Sequence, residues 1–250
     1  MSPELKRALL RRAAEPYRAS GNFPYHWARG KLGRDPLFEG LLESGAFPDG
    51  ARVLDLGCGL GLLAAWFLAA EEMAAQGAWS DRVVPPVGLQ FRGIDLAGHD
   101  TDSGNRALKP RYGARLDLAT GDLRHAEIAQ SDVIVLLDVL HYIPHGDQDR
   151  LLDRIAMELP PHGLLAIRVG DADAGMRFRF SRFTDRLVAS WRGHAGAQMW
   201  FRSMREWQDA LESRAFEVRN CPMSRGTPFA NTLLLARRLA VAPPPPAPPA

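Results

Sequence analysis

The chain has 250 residues, of which 46% are hydrophobic and 24% are charged, the composition of an ordinary globular domain. Its 31 basic and 29 acidic side chains leave a formal net charge of +2, which is too small for a protein that coats nucleic acid or holds a membrane surface by charge. This length is enough for one α/β domain with a two-sided core.

Cysteine content and hydropathy predict a cytoplasmic protein. Cys58 and Cys221 lie far apart in sequence, without a framework of paired cysteines, so we expect reduced thiols. The first 20 residues are basic and amphipathic and lack the apolar run and cleavage site of a secretory signal. No stretch reaches the roughly 18 uninterrupted apolar residues that would span a bilayer.

The first 40 residues are predicted to form a helical segment that contains NFPYHWARGKL. Tyr25, Trp27 and Arg29 are candidate substrate-binding residues within it, because aromatic rings beside cations can hold a planar, acidic substrate. On this interpretation the segment closes over the site as a lid. The alternative is a helix packed on the sheet with its cations in water.

A glycine-rich turn follows the first predicted strand, residues 52–56 (RVLDL), and precedes a helix over residues 60–75. Gly57, Gly59 and Gly61 allow the backbone to turn tightly and to approach a ligand closely. Leu62 stands where a dinucleotide fingerprint has its third glycine, which argues against NAD or FAD. Asp55 would repel a pyrophosphate but attract the ammonium and sulfonium of S-adenosylmethionine (SAM).

Two acids lie near the ends of the next strands, which are predicted over residues 91–96 and 115–120. Asp95 ends the second strand, and its paired acceptor oxygens suit the hydroxyls of a ribose. It lies 40 residues after Asp55, more than the usual spacing of about 20, because AWSDRVVPPVGLQ is inserted before the strand. Asp122 is placed to reach the amino group of an adenine. Each acid could instead cap a helix or lie in a solvated loop.

The fourth strand, residues 132–137 (DVIVLL), is apolar enough to lie at the centre of a parallel sheet, and its end carries further candidates. Asp138 is expected to face the amino group of SAM. His141 is the candidate catalytic base because an ordinary histidine pKa lies near neutrality; it could equally pack against the adenine or cap the next loop. A helix over residues 147–159 and a strand over residues 164–169 follow, so strands and helices alternate as in a doubly wound α/β fold.

The pattern changes after residue 170. Five arginines between Arg177 and Arg192 form either a solvated face or a docking surface for an acidic carrier protein or anionic substrate. Ser203 and Glu206 form a capping box that predicts a helix start. Residues 216–221 and 231–236 predict an antiparallel hairpin at the sheet edge. The tail, residues 240–250, is proline-rich and is expected to be disordered, although it could also be a ligand for a proline-recognising module.

Together, VLDLGCGLG, GIDL, GDL, DVIVLLDVLHYI and the terminal hairpin resemble the class I SAM-dependent methyltransferases. The resemblance implies a domain over residues 41–239 with a seven-stranded sheet in the order 3-2-1-4-5-7-6, strand 7 being antiparallel. It implies that the glycine turn carries the methionine end of SAM, Asp95 the ribose, and Asp122 with Leu123 the adenine. The predicted cofactor site comprises Asp55, Gly57, Cys58, Gly59, Gly61, Asp95, Leu96, Asp122, Leu123, Asp138 and Val139.

A narrower likeness to bacterial tailoring methyltransferases of polyketide and aryl-polyene pathways is carried by LDVLHYIP, LLAIRVGDAD and PMSRGTPFAN. It favours O- or C-methylation of a small-molecule or carrier-bound acyl or aryl acceptor, with Tyr142 added to the substrate residues. No metal site and no nucleic-acid or membrane partner is expected. The alternatives are a non-catalytic SAM-binding regulator or subunit and an NAD(P)-dependent oxidoreductase.

Overall fold

A computed structural model describes residues 1–128, 130–170, 198–223 and 231–240. The arginines between Arg177 and Arg192, most of the loop RGTPFAN and the proline-rich tail after residue 240 lie outside the described residues. The expectations for them therefore stay predictions.

A seven-stranded sheet organises the chain, in the order β3-β2-β1-β4-β5-β7-β6. The first five strands are parallel, whereas β7 pairs antiparallel with both β5 and β6. This confirms the predicted α/β fold class, the strand order and the antiparallel hairpin. The strands are β1 (Arg52–Leu56), β2 (Gln90–Asp95), β3 (Leu116–Thr120), β4 (Val133–Leu137), β5 (Leu164–Gly170), β6 (Phe216–Pro222) and β7 (Asn231–Arg238).

Seven α-helices lie within the described ranges. They are α1 (Pro3–Ala14), α2 (Asn22–Arg34), α3 (Pro36–Glu43), α4 (Leu62–Ala75), α5 (Gly98–Tyr112), α6 (His145–Glu158) and α7 (Met204–Glu212). Short 3₁₀ helices cover Glu15–Ser20, Gly113–Arg115 and Leu140–Tyr142. The capping box is present, since Ser203 and Glu206 bond each other's backbone N–H groups. Helix α4 starts two residues later than predicted, because Gly61 has the left-handed φ of 73° and ends the turn.

The core forms two clusters, one on each face of the sheet. Alternate residues of the central strands point to opposite faces, as Val133 and Ile134 of β4 do, and both are fully buried. Helices α1 to α5 pack on one face and α6 and α7 on the other. The parallel strands are therefore covered on both sides, as their apolar sequences predict.

The N-terminal segment is part of this core. Leu9, Ala13 and Leu32 are 0–1% exposed and belong to the same apolar cluster as helix α4. Arg12 of α1 also bonds Glu72 and Gln76 of α4. Residues 1–40 thus pack against the domain as the alternative interpretation expected, and a role as a lid stays a prediction. None of the described helices combines the length and apolarity needed to cross a membrane.

Two glycines, one in the sheet and one in a helix, differ in how closely other atoms pack against them. A Cβ at Gly93 in β2 would lie 2.6 Å from both Cys58 Sγ and Leu118 Cδ2, so we expect Gly93→Ala to lower the free energy of unfolding by about 1–3 kcal/mol. A Cβ at Gly30 in α2 would meet no heavy atom within 4 Å, so Gly30→Ala should raise that free energy by about 0.5–1 kcal/mol. Urea denaturation of both variants measures the two effects, and a change of the same sign in both would contradict this account.

Candidate functional site

A cavity of about 230 Å³ opens at the carboxyl ends of β1, β2, β4 and β5, where parallel α/β sheets bind their ligands. Nine of the predicted site residues line it together: Trp27, Asp55, Gly57, Cys58, Gly59, Asp95, Asp138, Val139 and Tyr142. The remaining lining residues are Lys31, Leu37, Phe38, Leu60, Leu62, Leu63, Leu137 and Arg168.

The glycine turn has the backbone that its sequence requires. Gly57, Gly59 and Gly61 all have positive φ, at 89°, 51° and 73°. A side chain at Gly57 would collide with Val139, whereas the Cα of Gly59 has open space beside it. The turn therefore lies against the end of β4 on one side and presents bare backbone on the other. A ligand can approach the peptide closely at Gly59.

Asp55 is a buried acid at the centre of this cavity. Its side chain is 5% exposed, and burial together with the nearby charge of Asp95 raises its pKa to about 7. A carboxylate with a raised pKa is one whose negative charge is poorly compensated by its surroundings. A cation brought into the cavity would supply the missing compensation.

Asp95 links the end of β2 to the glycine turn. One carboxylate oxygen accepts the N–H of Gly59 at 2.8 Å, and the other accepts the N–H of Ala97 at 2.8 Å. Because each carboxylate oxygen has two lone pairs, both oxygens can still accept a hydroxyl donor. The two backbone bonds fix the carboxylate in the cavity lining, and its contact with a ribose stays a prediction.

A charged cluster forms part of the cavity lining, to which Lys31, Asp138 and Arg168 belong. Arg168 of β5 is 2% exposed and holds Asp35 through two bonds, Nη1 to Oδ1 at 2.6 Å and Nη2 to Oδ2 at 2.8 Å. On its other side Nε donates to Asp138 Oδ1 at 2.8 Å, and Nη2 contacts the second oxygen of Asp138. Lys31 Nζ lies 2.8 Å from Asp35 and 3.8 Å from Asp138. Two cations and two anions thus balance one another.

This balance keeps the aspartates ionised. Burial alone would raise the pKa of Asp35 and Asp138, but the charges of Arg168 and Lys31 outweigh it, and both pKa values fall below the usual range. Asp138 has the left-handed φ of 60°, an uncommon conformation for a residue with a side chain. Arg168 holds it there, so Asp138 presents a permanent negative charge to the cavity.

Four predicted cofactor residues do not line the cavity. Gly61 lies behind the turn against Leu118, and Leu96 is 63% exposed. Asp122 is bonded by the backbone N–H and the guanidinium of Arg124, which lowers its pKa, and Leu123 is buried in the opposite core cluster. The predicted adenine contacts of Asp122 and Leu123 therefore stay predictions.

Two predicted substrate residues also lie outside the cavity lining. Tyr25 is 9% exposed and packs under Arg18, whose guanidinium carbon is 4.0 Å from the ring centroid and whose Nη2 donates to the hydroxyl at 2.7 Å. Arg29 lies 5.7 Å from the same ring. The Tyr25 side chain is thus used in packing within the N-terminal segment, whereas Arg29 is exposed at its surface. From this segment, Trp27 and Lys31 reach the cavity instead.

His141 does not have the properties of a neutral-pH base. It is 6% exposed, its ring stacks on Phe201 at 5.2 Å, and it does not line the cavity. Burial lowers its pKa to about 4, with the charge of Asp138 opposing the shift, so the expectation of a pKa near neutrality is wrong. The alternative expectation is that His141 packs against the adenine, and in the structure its ring packs against Phe201.

The sequence interpretation missed Arg168 and Asp35, and it did not select Lys31 from the cations of NFPYHWARGKL. Arg168 had a visible signal, because it is a charge inside the apolar strand LLAIRV, where a buried cation requires anionic partners. Its partner Asp35 is 133 residues away in sequence, so no local pattern could identify it.

Comparison with known proteins identifies the family. A family model described as a methyltransferase domain matches residues 26–220, more than three quarters of the chain. The chain belongs to the methyltransferase-domain family. It has the fold of the class I SAM-dependent methyltransferases.

Curated relatives match a shorter region. A carboxy-S-adenosyl-L-methionine synthase from Chromohalobacter salexigens is 29% identical over 129 residues, which cover 51% of this chain and 43% of that protein. A synthase of the same name from Glaesserella parasuis is 28% identical over 131 residues, which cover 51% of this chain and 48% of that protein. The chain thus spans about half the length of the curated relatives it matches.

Solved structures support the fold. An O-methyltransferase family protein from Burkholderia thailandensis has a TM-score of 0.63 and 17% identity, covering 90% of this chain and 63% of that one. Magnesium protoporphyrin IX methyltransferase from Synechocystis has a TM-score of 0.56 and 19% identity, covering 88% and 91%. Human N-acetylserotonin methyltransferase has a TM-score of 0.56 and 18% identity, covering 96% and 60%.

The residues of the cavity fit SAM. Asp55 carries an undercompensated charge, which a sulfonium or ammonium would neutralise, and Asp95 has lone pairs left for hydroxyl donors. The open face of Gly59 admits a ligand against the backbone. These residues would hold the cofactor.

Asp55 should make the stability of the protein depend on pH. Its pKa is about 7 in the folded protein and about 3.9 when unfolded, so burial costs nothing below pH 4 and its full amount above pH 7. That amount is about 4 kcal/mol, from about 1.4 kcal/mol for each pKa unit. Without added cofactor, we expect Asp55→Asn to raise the Tm at pH 8 but to change it little at pH 4. An equal change at both pH values would rule out this assignment.

Arg168 should be far more important for stability than an exposed arginine. Replacing it with methionine leaves Asp35 and Asp138 without their main partner, so we expect Arg168→Met to lower the free energy of unfolding by about 3–5 kcal/mol. Arg205, whose side chain is 90% exposed and lies 3.9 Å from Asp209, provides the control, and Arg205→Met should cost less than about 0.5 kcal/mol. Similar denaturation midpoints for the two variants would contradict the role given to Arg168.

Proposed function

We propose that this protein transfers a methyl group from SAM to an oxygen or carbon atom of a small-molecule or carrier-bound acyl or aryl acceptor. The observation that carries the proposal is that two chemically different sets of residues line one cavity. Asp55, Asp95 and the bare backbone of Gly59 form an acidic set suited to a cationic nucleoside. Trp27, Tyr142 and Lys31 add two aromatic rings and a cation to the same lining.

The aromatic and apolar part of the lining suits a flat or apolar acceptor that carries a polar group. The two rings and the apolar side chains of Leu37 and Phe38 provide its walls. Lys31 adds a cation whose side chain is 37% exposed, and its ammonium has three donors. The overall charge of the chain, near balance, favours such a small or carrier-bound acceptor over nucleic acid.

Catalysis in this cavity is proposed to rest on positioning. SAM supplies a methyl group on a sulfonium, which is already a good leaving group. The chain's own residues hold the two reactants: Asp55 and Asp95 fix the cationic partner, while Trp27 and Tyr142 limit how the acceptor can lie. Correct alignment can be worth about 7–11 kcal/mol of the barrier. The acceptor atom loses a proton as it gains the methyl group, and the proposal gives that proton to water. His141 does not accept it, because it is buried outside the cavity with a pKa of about 4.

Binding of the cofactor is tested first, by thermal shift with SAM, S-adenosylhomocysteine and NAD. A ligand at 100 times its Kd stabilises by about 2.7 kcal/mol, which is about 5–10 °C for a chain of this size. We expect this shift with the two SAM-type ligands and none with NAD. Asp95→Ala should weaken S-adenosylhomocysteine binding about 10- to 100-fold, because it removes a charged acceptor. The control is Asp117→Ala in β3, where an exposed carboxylate pairs with Lys109.

Turnover separates the remaining functions. Incubation with methyl-labelled SAM and a panel of phenols and acyl thioesters should release S-adenosylhomocysteine and a labelled product. Cofactor binding without turnover of any acceptor would instead favour a regulator. Because the curated relatives are named carboxy-S-adenosyl-L-methionine synthases, the nucleoside product is also analysed by mass. A parallel incubation includes carboxylic acids as carboxyl donors, and a carboxylated form of SAM in place of S-adenosylhomocysteine would overturn the proposed methyl transfer.

A further inference from the structure

Tyr17 connects the N-terminal segment to the glycine turn. It lies in the 3₁₀ helix Glu15–Ser20 and is fully buried, and its hydroxyl donates to the backbone carbonyl of Leu60 at 2.8 Å. The family model begins at residue 26, so Tyr17 lies upstream of the part of the chain that the family shares. A residue outside the matched domain thus contacts the cofactor turn directly.

The peptide that Tyr17 bonds lies in a part of the turn where the backbone is conformationally free. Leu60 lies between Gly59 and Gly61, and both glycines have left-handed φ values. Glycine loses more conformational freedom on folding than any other residue, so a peptide flanked by two of them is easily displaced. Leu60 also lines the cavity, and the N–H of Gly59 is bonded to Asp95. A shift of this peptide would therefore move the backbone of Gly59 and disturb its bond to Asp95, and both residues are proposed to contact the cofactor.

Other contacts confine the same peptide from different directions. A Cβ at Gly104 of α5 would lie 2.6 Å from the Leu60 carbonyl oxygen, so α5 packs directly against it. Ser20, at the end of the same 3₁₀ helix, donates to the Ser103 carbonyl at 2.7 Å. The 3₁₀ helix is thus attached both to the turn, by Tyr17, and to α5, by Ser20. Of these two bonds, that of Tyr17 reaches the turn.

We propose that Tyr17 is a positioning residue of the cofactor site: its hydroxyl holds the Leu60 peptide in the conformation that binds SAM. This inference rests on the proposed SAM-dependent function. Without the bond, the turn spends part of its time in other conformations, and the apparent affinity falls by the fraction lost. Tyr17 then contributes to cofactor affinity by positioning the turn, and it does not contact the cofactor itself.

The test is the Kd of S-adenosylhomocysteine for Tyr17→Phe, measured by calorimetry with the full chain. We expect it to rise about tenfold, equivalent to about 1.4 kcal/mol. Ser20→Ala is the matched control, because it removes a bond of similar length from the same 3₁₀ helix without touching the turn. It should lower the Tm and leave the Kd unchanged. Tyr112→Phe controls for loss of a phenol, since the buried Tyr112 hydroxyl has no hydrogen-bond partner within the described residues.

Three outcomes are distinguishable. A Kd that rises only in Tyr17→Phe supports the positioning role. Equal Kd values for Tyr17→Phe and wild type, or equal rises in Tyr17→Phe and Ser20→Ala, overturn it while leaving SAM binding intact. Wild-type protein that binds no S-adenosylhomocysteine overturns the proposed function instead. If Tyr17→Phe is too unstable for calorimetry, amide hydrogen exchange at low temperature gives the same decision, because Gly59 and Gly61 should exchange faster in that variant than in Ser20→Ala.

Discussion

Two carboxylates that share one end of a parallel sheet determine how this site is built. Asp55 lies near the end of β1 and Asp95 ends the neighbouring strand β2, and their side chains come together because parallel strands all end at the same edge. Burial makes the negative charge of Asp55 costly, and the neighbouring charge of Asp95 raises the cost further. The buried charge lowers the free energy of unfolding, and the same charge attracts a cationic ligand to the site.

Two other acids near the cavity have their charges compensated by protein groups alone. There, Arg168 and Lys31 compensate Asp35 and Asp138, and the aspartates stay ionised although they are largely removed from water. The contrast distinguishes two kinds of acid. Where the protein supplies its own counter-charges, the acids stay ionised without a ligand, and where it does not, as at Asp55, a cationic ligand would compensate the charge. The contact of Asp138 with the amino group of SAM stays a prediction.

Local sequence patterns determined most of the fold and the cofactor side of the site. The glycine turn, the apolar strands and the capping box depend on residues within a few positions of one another, so their structures could be predicted with small errors at element ends. The order of the sheet came from resemblance to a family. His141 shows where local reasoning stops, since its pKa depends on burial against Phe201, which is 60 positions further along the chain. Arg168 and Asp35 show the same limit, because their pairing joins residues 133 positions apart.

The pairing of Asp35 with Arg168 also has a consequence for biosynthesis. Asp35 leaves the ribosome well before Arg168, and at about 5–20 residues per second the interval of 133 residues is on the order of ten seconds. Helices α1 to α3 can begin to pack on α4 during this time, but the wall of the cavity near Asp138 cannot form before β5 has been made. The nascent chain must therefore hold its acidic and apolar cavity surfaces open to water until late in synthesis, and a chaperone or the cofactor itself would find them accessible then.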